Sequence, residues 1–375
     1  GGLLMIVKPD FEFLTFEKED MVFKFLKSGD IFEILHKDIM INMFNGTFRD
    51  GSLNNIYLRI YEHDGVKVVP LIGGKSNGEI YFDSNSMMFE GDAFGISYRV
   101  RFTLSNHLIW FYEVYLNGKN FEVDLLYCQD ISISNKNACL NNELYTSQYI
   151  DHKAIKSSNG FVVCSRQNQD QGGKFPYVEH GCINGNIISY STDQTQFFSL
   201  EYKKSGVPYL IDKDLPKENY QFELAYIVLQ TEKMRVDDNK NICFYGLFRE
   251  DYKTSIETLK YEEDVVIEYL KVLRLRNNFE KLKRVQMKEE FGAEISSKKF
   301  THNEICSIYN ERKFEEYKDN ELLSFFTNYH THVVLQDKEI LCERPHGNII
   351  INKIDNEKIN TNIITSTNYM FGLFN

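Results

Sequence analysis

Between Cys164 and Gly181 the chain reads Cys-Ser-Arg-Gln-Asn-Gln-Asp-Gln-Gly-Gly-Lys-Phe-Pro-Tyr-Val-Glu-His-Gly. Arg166, Gln167, Asn168, Gln169 and Gln171 set fork-like donors and carbonyl acceptors in close succession, with Lys174 a few residues on. Gly172-Gly173 lets the backbone turn through positive φ, and Pro176 stiffens the far end. Tyr177 adds an apolar face with a hydroxyl tip. Amides, a guanidinium and an aromatic face are what a polyhydroxylated ligand such as a sugar requires. The same composition also suits a polar surface loop that binds nothing.

Other constellations offer less. His330-Thr331-His332 would put two imidazoles on one face of a strand, a spacing that metal sites use. Gln336 and Asp337 make a poor third ligand, so the pair reads as non-metal. Asp50-Gly51 and Asp64-Gly65 read as turn formers. The chain carries no Gly-x-Ser-x-Gly elbow, phosphate loop or dinucleotide fingerprint. Carboxylates are plentiful and none is singled out by a partner. No catalytic residue, metal ligand or cofactor is therefore assigned to this chain.

With 54 acidic against 43 basic residues, the formal net charge over 375 residues is -11. That balance argues against a nucleic-acid backbone or an anionic membrane as the main partner. No apolar run approaches the roughly 20 residues that a membrane helix needs. The opening Gly1-Gly2-Leu3-Leu4-Met5 has no basic segment ahead of an apolar one, so no secretory signal is expected. Seven cysteines, far apart and without a Cys-x-x-Cys pair, predict free thiols in a reducing cytoplasm. The run Tyr369-Met370-Phe371-Gly372-Leu373-Phe374-Asn375 is apolar for a terminus, which predicts a natural protein that continues.

The elements that must position the loop are mostly strands. Apolar runs at 11–16, 21–26, 31–35 and 39–44 are set off by Gly29-Asp30 and Asn45-Gly46. Asp64-Gly65 turns a hairpin into 66–72. In 98–104, Tyr98, Val100, Phe102 and Leu104 share one face, while Arg99, Arg101 and Thr103 share the other. From 108 to 116 the alternation blurs, as in a strand covered on both faces. Asn117-Gly118 leads into a strand at 121–127, and more are predicted at 195–202, 220–230 and 242–248. After Tyr252, Val266, Leu270 and Leu273 fall at helical spacing and are predicted as the buried stripe of a linker helix. Acids precede bases along it, as the helix dipole favours, and its basic end (Lys281, Lys283, Arg284, Lys288) reads as a solvated face. Strands return at 322–326, 332–336, 340–343 and 348–352. The expected fold is mainly β, with an antiparallel sandwich over 1–252, a helical linker over 253–290 and a β-rich segment over 291–375.

Several stretches carry a family resemblance. Asp50-Gly-Ser-Leu-Asn-Asn-Ile-Tyr-Leu-Arg59, the 166–177 loop and Thr192-Asp-Gln-Thr-Gln-Phe-Phe198 resemble glycoside hydrolase family 94, the inverting sugar phosphorylases formerly classed as glycosyltransferase family 36. Phe291-Gly-Ala-Glu-Ile-Ser296, Leu322-Leu-Ser-Phe-Phe326, Glu343-Arg-Pro-His-Gly347 and Thr365-Ser-Thr-Asn-Tyr-Met370 resemble its 1,2-β-oligoglucan phosphorylase branch. The resemblance implies a super-β-sandwich of the galactose-mutarotase type, a helical linker, an (α/α)6 catalytic barrel and a C-terminal β domain. In the family the barrel holds the general acid and the phosphate pocket. No series of helical hairpins follows residue 290, so neither is expected in this chain. The implied reaction is attack of inorganic phosphate, a co-substrate, on the anomeric carbon of a β-linked gluco-oligosaccharide. It inverts that carbon and releases α-glucose 1-phosphate, with a carboxylic acid protonating the leaving oxygen.

By the same resemblance the N-terminal domain of one subunit borders the other's active site in a homodimer. The 166–177 loop would reach that site, where Arg166, Gln167, Asn168, Gln169 and Lys174 bind acceptor-sugar hydroxyls and Tyr177 stacks on a ring. Two other classes stay open: a stand-alone carbohydrate-binding protein, and a mutarotase-like enzyme acting on the sandwich surface. The latter requires a convergent His and carboxylate. The nearest pair, Glu179 and His180, would point oppositely in a strand.

Overall fold

The computed structural model describes residues 13–47, 50–221, 224–275, 278–284 and 309–326, single positions 303 and 307, and five short strands beyond residue 290. Contacts divide the chain into two units, Asp10–Gln286 and a second made of Gly1–Pro9 with Met287–Asn375. The division falls at 286/287, so the helix expected to link domains belongs with the sandwich.

The first unit opens on β1 (Leu14–Lys18), β2 (Met21–Phe25), β3 (Ile31–His36) and β4 (Ile39–Met40). It continues with β5 (Asn55–Glu62), β6 (Gly65–Pro70), β7 (Glu79–Phe82), β8 (Ser86–Ala93), β9 (Ile96–Leu104), β10 (Ile109–Asn117) and β11 (Phe121–Asp130). Then come β12 (Ser134–Asn135), α1 (Lys136–Asn141), α2 (Glu143–Ser147), β13 (Ile150–Ser157), β14 (Gly160–Gln167), β15 (Tyr177–Cys182) and β16 (Ile187–Asp193). The unit closes with α3 (Gln194–Phe198), α4 (Tyr202–Ser205), β17 (Ala225–Thr231), β18 (Met234–Val236), β19 (Asn239–Arg249), α5 (Glu262–Leu273) and β20 (Glu280–Leu282).

Fifteen of these strands form one sheet whose path runs β20-β7-β8-β9-β10-β19-β15-β14-β16-β17-β11-β5-β6, with β13 beside β14 and β18 beside β11. All pairings in it are antiparallel except a single parallel bridge between Gly160 and Ile187. The sheet folds over on itself. Tyr127 on β11 stacks 5.2 Å from Phe244 on β19, and Tyr112 on β10 lies 5.8 Å from Tyr127, although β11 lies five places from β19 along the path. A smaller sheet, β1-β2-β3-β4-β12, adds Phe23 to the same core, 4.8 Å from Phe102 and 5.4 Å from Trp110. The result is a mainly β, antiparallel sandwich.

Local sequence explains the strands. β9 buries Ile96, Tyr98, Val100, Phe102 and Leu104 and leaves Ser97 and Arg99 exposed, the alternation read from the sequence. β10 is buried at every position from Ile109 to Val114, because its second face is also covered. Trp110 pairs across the ladder with Gly246, where a Cβ would stand 2.1 Å from the indole, so only glycine fits.

Three expectations need correction. The linker expected to be helical over 253–290 is helical, among the described residues, only over α5, and β20 pairs with β7 at the sheet edge. The strand predicted at 195–202 is the helix α3, nucleated by a capping box in which Asp193 and Gln196 satisfy each other's backbone amides. The preceding strand, β16, stops at that cap. In α5 the buried residues are Val265, Glu268, Tyr269 and Val272, while Val266, Leu270 and Leu273 are 48%, 49% and 50% exposed. The buried stripe thus lies one residue earlier than predicted. The pattern misled because that face carries a carboxylate: Glu268 accepts hydrogen bonds from Ser105 Oγ at 2.6 Å and Lys271 Nζ at 2.5 Å, which let it enter the interior.

In the second unit the described elements are β21 (Glu294–Ser296), β22 (Lys313–Lys318), β23 (Glu321–Phe326), β24 (His332–Val334), β25 (Ile340–Cys342), β26 (Ile349–Ile351) and β27 (Lys358–Asn360). They form a three-stranded sheet, β22-β23-β24, and the pairs β21-β27 and β25-β26. The strands predicted from 322 onward are there. The side chains of His330 and His332, and residues 343–347 and 365–375, lie outside the described residues.

Candidate functional site

The 166–177 loop joins β14 to β15, which end on the pair Arg166↔Tyr177. Its tip stands clear: at Gly172 (φ +70°) and Gly173 (φ +84°) a Cβ would meet nothing within 4 Å. Its root is braced. Arg166 Nε donates to Tyr252 O at 2.6 Å, its guanidinium lies 4.3 Å from the Phe175 ring centre, and Nη1 donates to Asn168 Oδ1. Phe175 N donates to Asp251 Oδ1 at 3.1 Å, and Lys174 pairs with Glu250 at 2.6 Å. Gln171 Oε1 accepts from Asn135 N at 2.8 Å.

The six residues expected to meet sugar separate into two groups. Gln167 is fully buried, and its amide donates to Ser132 O and Thr146 O. Tyr177 is fully buried too, stacked 4.5 Å from Tyr252, with its hydroxyl donating to Glu179 Oε2 at 2.6 Å. Strand parity sends both side chains into packed layers, so neither presents a face to a ligand here, which corrects the sequence reading. Asn168 is exposed, and Gln169 and Lys174 are half-buried. Gln169 Oε1 is buried without a hydrogen-bond partner. Arg166 is half-buried and holds the loop root.

Beneath the loop, β15 sends neighbouring residues in opposite directions. Glu179 lies with Tyr177 and Tyr245 on the face covered by α5, and burial raises its carboxyl above the usual range. His180 points into the sandwich core, 5.9 Å from both Trp110 and Tyr127. Burial pushes the His180 imidazole down to about 3, and neither ring nitrogen has a partner. The two groups do not converge on any surface, which removes the pair that a mutarotase-like site would have used.

A second concavity lies on the outer face of β8, β9, β10 and β19, a groove of about 620 Å³. Under α5 this face is apolar, with Phe111 5.6 Å from Tyr269. Further along the same strands it turns polar. Tyr115 sits opposite Arg99 on one side and Asn241 on the other, and Arg99 sits opposite Glu90. One row on, Asn117 faces Ser97 and Asn239. Arg99 Nε donates to Glu90 Oε1 at 2.7 Å, and Asn117 Nδ2 donates to Asn239 Oδ1 at 2.7 Å. Tyr115 donates its hydroxyl to Glu113 Oε1 at 2.8 Å. Glu113 Oε2 and Asn241 Oδ1 are buried without partners. Burial raises the Glu113 carboxyl above its ordinary range, partly offset by the Tyr115 hydroxyl and the Arg101 charge. The sequence signal for this groove was the outward parity of Arg99 and Arg101, which the reading recorded only as the far side of a strand.

Two of the motifs that carried the family resemblance, 50–59 and 192–198, serve the scaffold. Arg59, fully buried, makes a two-pronged pair with Asp124 at 2.6 and 2.5 Å, and also donates to Lys213 O at 2.5 Å. Thr192 to Phe198 is the capped entry to α3.

Comparison with known proteins places these observations. Residues 24–246, more than half of the chain, match the family described as SOGP N-terminal domain. Residues 309–375 match the family described as glycoside phosphorylase supersandwich domain. That match falls within the second unit. A curated relative, the 1,2-beta-oligoglucan phosphorylase of Listeria innocua serovar 6a (strain ATCC BAA-680 / CLIP 11262), is 31% identical over 360 residues. That alignment covers 96% of this chain and 32% of the relative, so the chain spans about a third of the relative's length. Among solved structures, a polysaccharide lyase aligns over 64% of this chain and 33% of its own, with TM-score 0.39 and 11% identity. A GalM/aldose epimerase homologue from C. elegans aligns over 64% of this chain and 100% of its own, with TM-score 0.38 and 11% identity.

Proposed function

The chain belongs to the family of SOGP N-terminal domains, and from that premise we propose that it is the amino-terminal part of an inverting phosphorylase of β-linked gluco-oligosaccharides. In the assembled enzyme an oxygen of inorganic phosphate forms the new bond to the anomeric carbon as the glycosidic C–O bond breaks. The leaving oxygen takes its proton from a carboxylic acid, and the products are α-glucose 1-phosphate and the shortened glucan. That acid and the phosphate pocket belong to an (α/α)6 barrel beyond the residues described here. The observation that carries this reading is continuity: the alignment with the named phosphorylase runs through both units of the chain.

Within that enzyme the 166–177 loop is the element that faces the acceptor sugar, across a homodimer contact. Its clear tip supports the assignment. The contacts come from Asn168, Gln169 and Lys174, with Arg166 fixing the root of the loop. The five described cysteines, Cys128, Cys139, Cys164, Cys182 and Cys243, are free and buried, which suits a cytoplasmic protein. Among the described residues no helix is long and apolar enough to cross a membrane.

The test supplies 1,2-β-oligoglucan and inorganic phosphate to the 375-residue chain, and to the same chain extended to the relative's length. Glucose 1-phosphate is expected from the extended protein alone. Release by the 375-residue chain would place the catalytic acid within it. Release by neither would overturn the phosphorylase reading.

A further inference from the structure

We propose that the outer-face groove of β8, β9, β10 and β19 is a non-catalytic binding subsite for a neutral oligosaccharide, separate from the 166–177 loop. Three observations converge on it. First, its floor is one cross-strand row, Glu90–Arg99–Tyr115–Asn241, on four neighbouring strands. At the usual strand spacing of ~4.8 Å the row extends roughly 14 Å, the reach of a short saccharide chain.

Second, the row has unspent hydrogen-bonding capacity. Arg99 lines the groove and, among the hydrogen bonds of the described residues, commits only Nε, to Glu90. Asn117, Asn239 and Asn241 line the same groove and set side-chain amides beside the guanidinium. Tyr115 supplies a half-buried ring between the arginine and the asparagine, with its hydroxyl already tied to Glu113. A ring held at its rim by its own hydroxyl presents an apolar face to a pyranose.

Third, the charges select against ions. Arg99 is neutralised by Glu90, and among the described residues Lys240 is the only other charged one lining the groove. A chain with formal net charge -11 does not favour an anion in so open a site. A neutral ligand rich in hydroxyls satisfies the asparagines, the arginine forks and the tyrosine face together.

The glucan identity of that saccharide rests on the phosphorylase reading; the groove itself does not. The test is isothermal titration calorimetry of the 375-residue chain with 1,2-β-linked glucotetraose, cellotetraose and maltotetraose. At least one β-linked tetraose is expected to bind, with Kd raised roughly tenfold by Tyr115→Ala and by Arg99→Ala. Lys203→Ala, on the distant exposed α4, is expected to leave Kd unchanged. Because Arg99 is exposed, its variant remains informative even if Tyr115→Ala fails to fold. Binding of none of the three, or binding indifferent to both groove variants, would overturn the subsite. Binding of maltotetraose alone, still lost in the groove variants, would uphold the subsite and count against the β-glucan reading.

Discussion

The 166–177 loop and the outer-face groove are built from the same residue types, and they differ in what those residues have left to give. In the loop region the density of amides and arginine is spent internally. Gln167 ties β14 to Ser132 and Thr146, Arg166 holds the 252 carbonyl, Lys174 pairs with Glu250, and Tyr177 lies stacked under Tyr252. In the groove the polar residues are scattered through four strands and no stretch of sequence stands out. Yet Arg99, exposed there, commits only Nε among the hydrogen bonds of the described residues, and three asparagines line the groove beside it. A cluster in sequence marks residues that can reach one another. A cluster across strands marks residues that can reach something else.

The largest effect that sharpens this contrast is Tyr177→Ala. It leaves a void against Tyr252 and removes a hydrogen bond from the buried Glu179 carboxyl, so a loss of about 3–5 kcal/mol is expected in urea denaturation. A loss below ~1 kcal/mol would show that Tyr177 is less committed to the scaffold than its packing indicates.

Glu179→Gln comes next and carries a pH signature. Burial raises the folded-state carboxyl, so the protonated form suits the fold. Stability from this group is fully present below the unfolded value of about 4.3 and is lost as pH rises through the raised folded value. Glutamine removes that titration. The variant is therefore expected to be more stable than the wild type at pH 8, by a margin that disappears near pH 4. Equal pH dependence in both proteins would place no proton preference at this position.

Arg166→Ala ranks third. The hydrogen bond to Tyr252 O and the stack on Phe175 give an expected loss of about 1–2 kcal/mol, seen as a lowered Tm. From the sequence alone this residue would have been a free sugar-binding group whose removal leaves Tm untouched. An unchanged Tm would restore that role and show that the loop, like the groove, keeps polar groups free.

Much of the fold was legible because strand parity is a local property. The alternation of β9, the doubly covered β10 and the hairpin between β5 and β6 all follow from residues within a few positions of one another. What was not legible depended on partners far along the chain. The buried face of α5 includes Glu268, acceptable only because Ser105 lies against it, 163 residues away. The strand predicted at 195–202 gave way to a capping box that overrides its aromatic content. The groove was hidden for the same reason: its row joins Glu90, Arg99, Tyr115 and Asn241, and only the pairing of β10 with β19 brings the last of these to the others.

The most direct test of where this chain meets a saccharide uses the side-chain amides of the two regions as reporters. In 15N–1H NMR spectra of the 375-residue chain, 1,2-β-linked glucotetraose is expected to shift the side-chain amide resonances of Asn117, Asn239 and Asn241. Those of Asn168 and Gln169 should stay in place, because the loop lacks the rest of its site in this chain. Shifts confined to Asn168 and Gln169, with the three groove asparagines unmoved, would contradict the account.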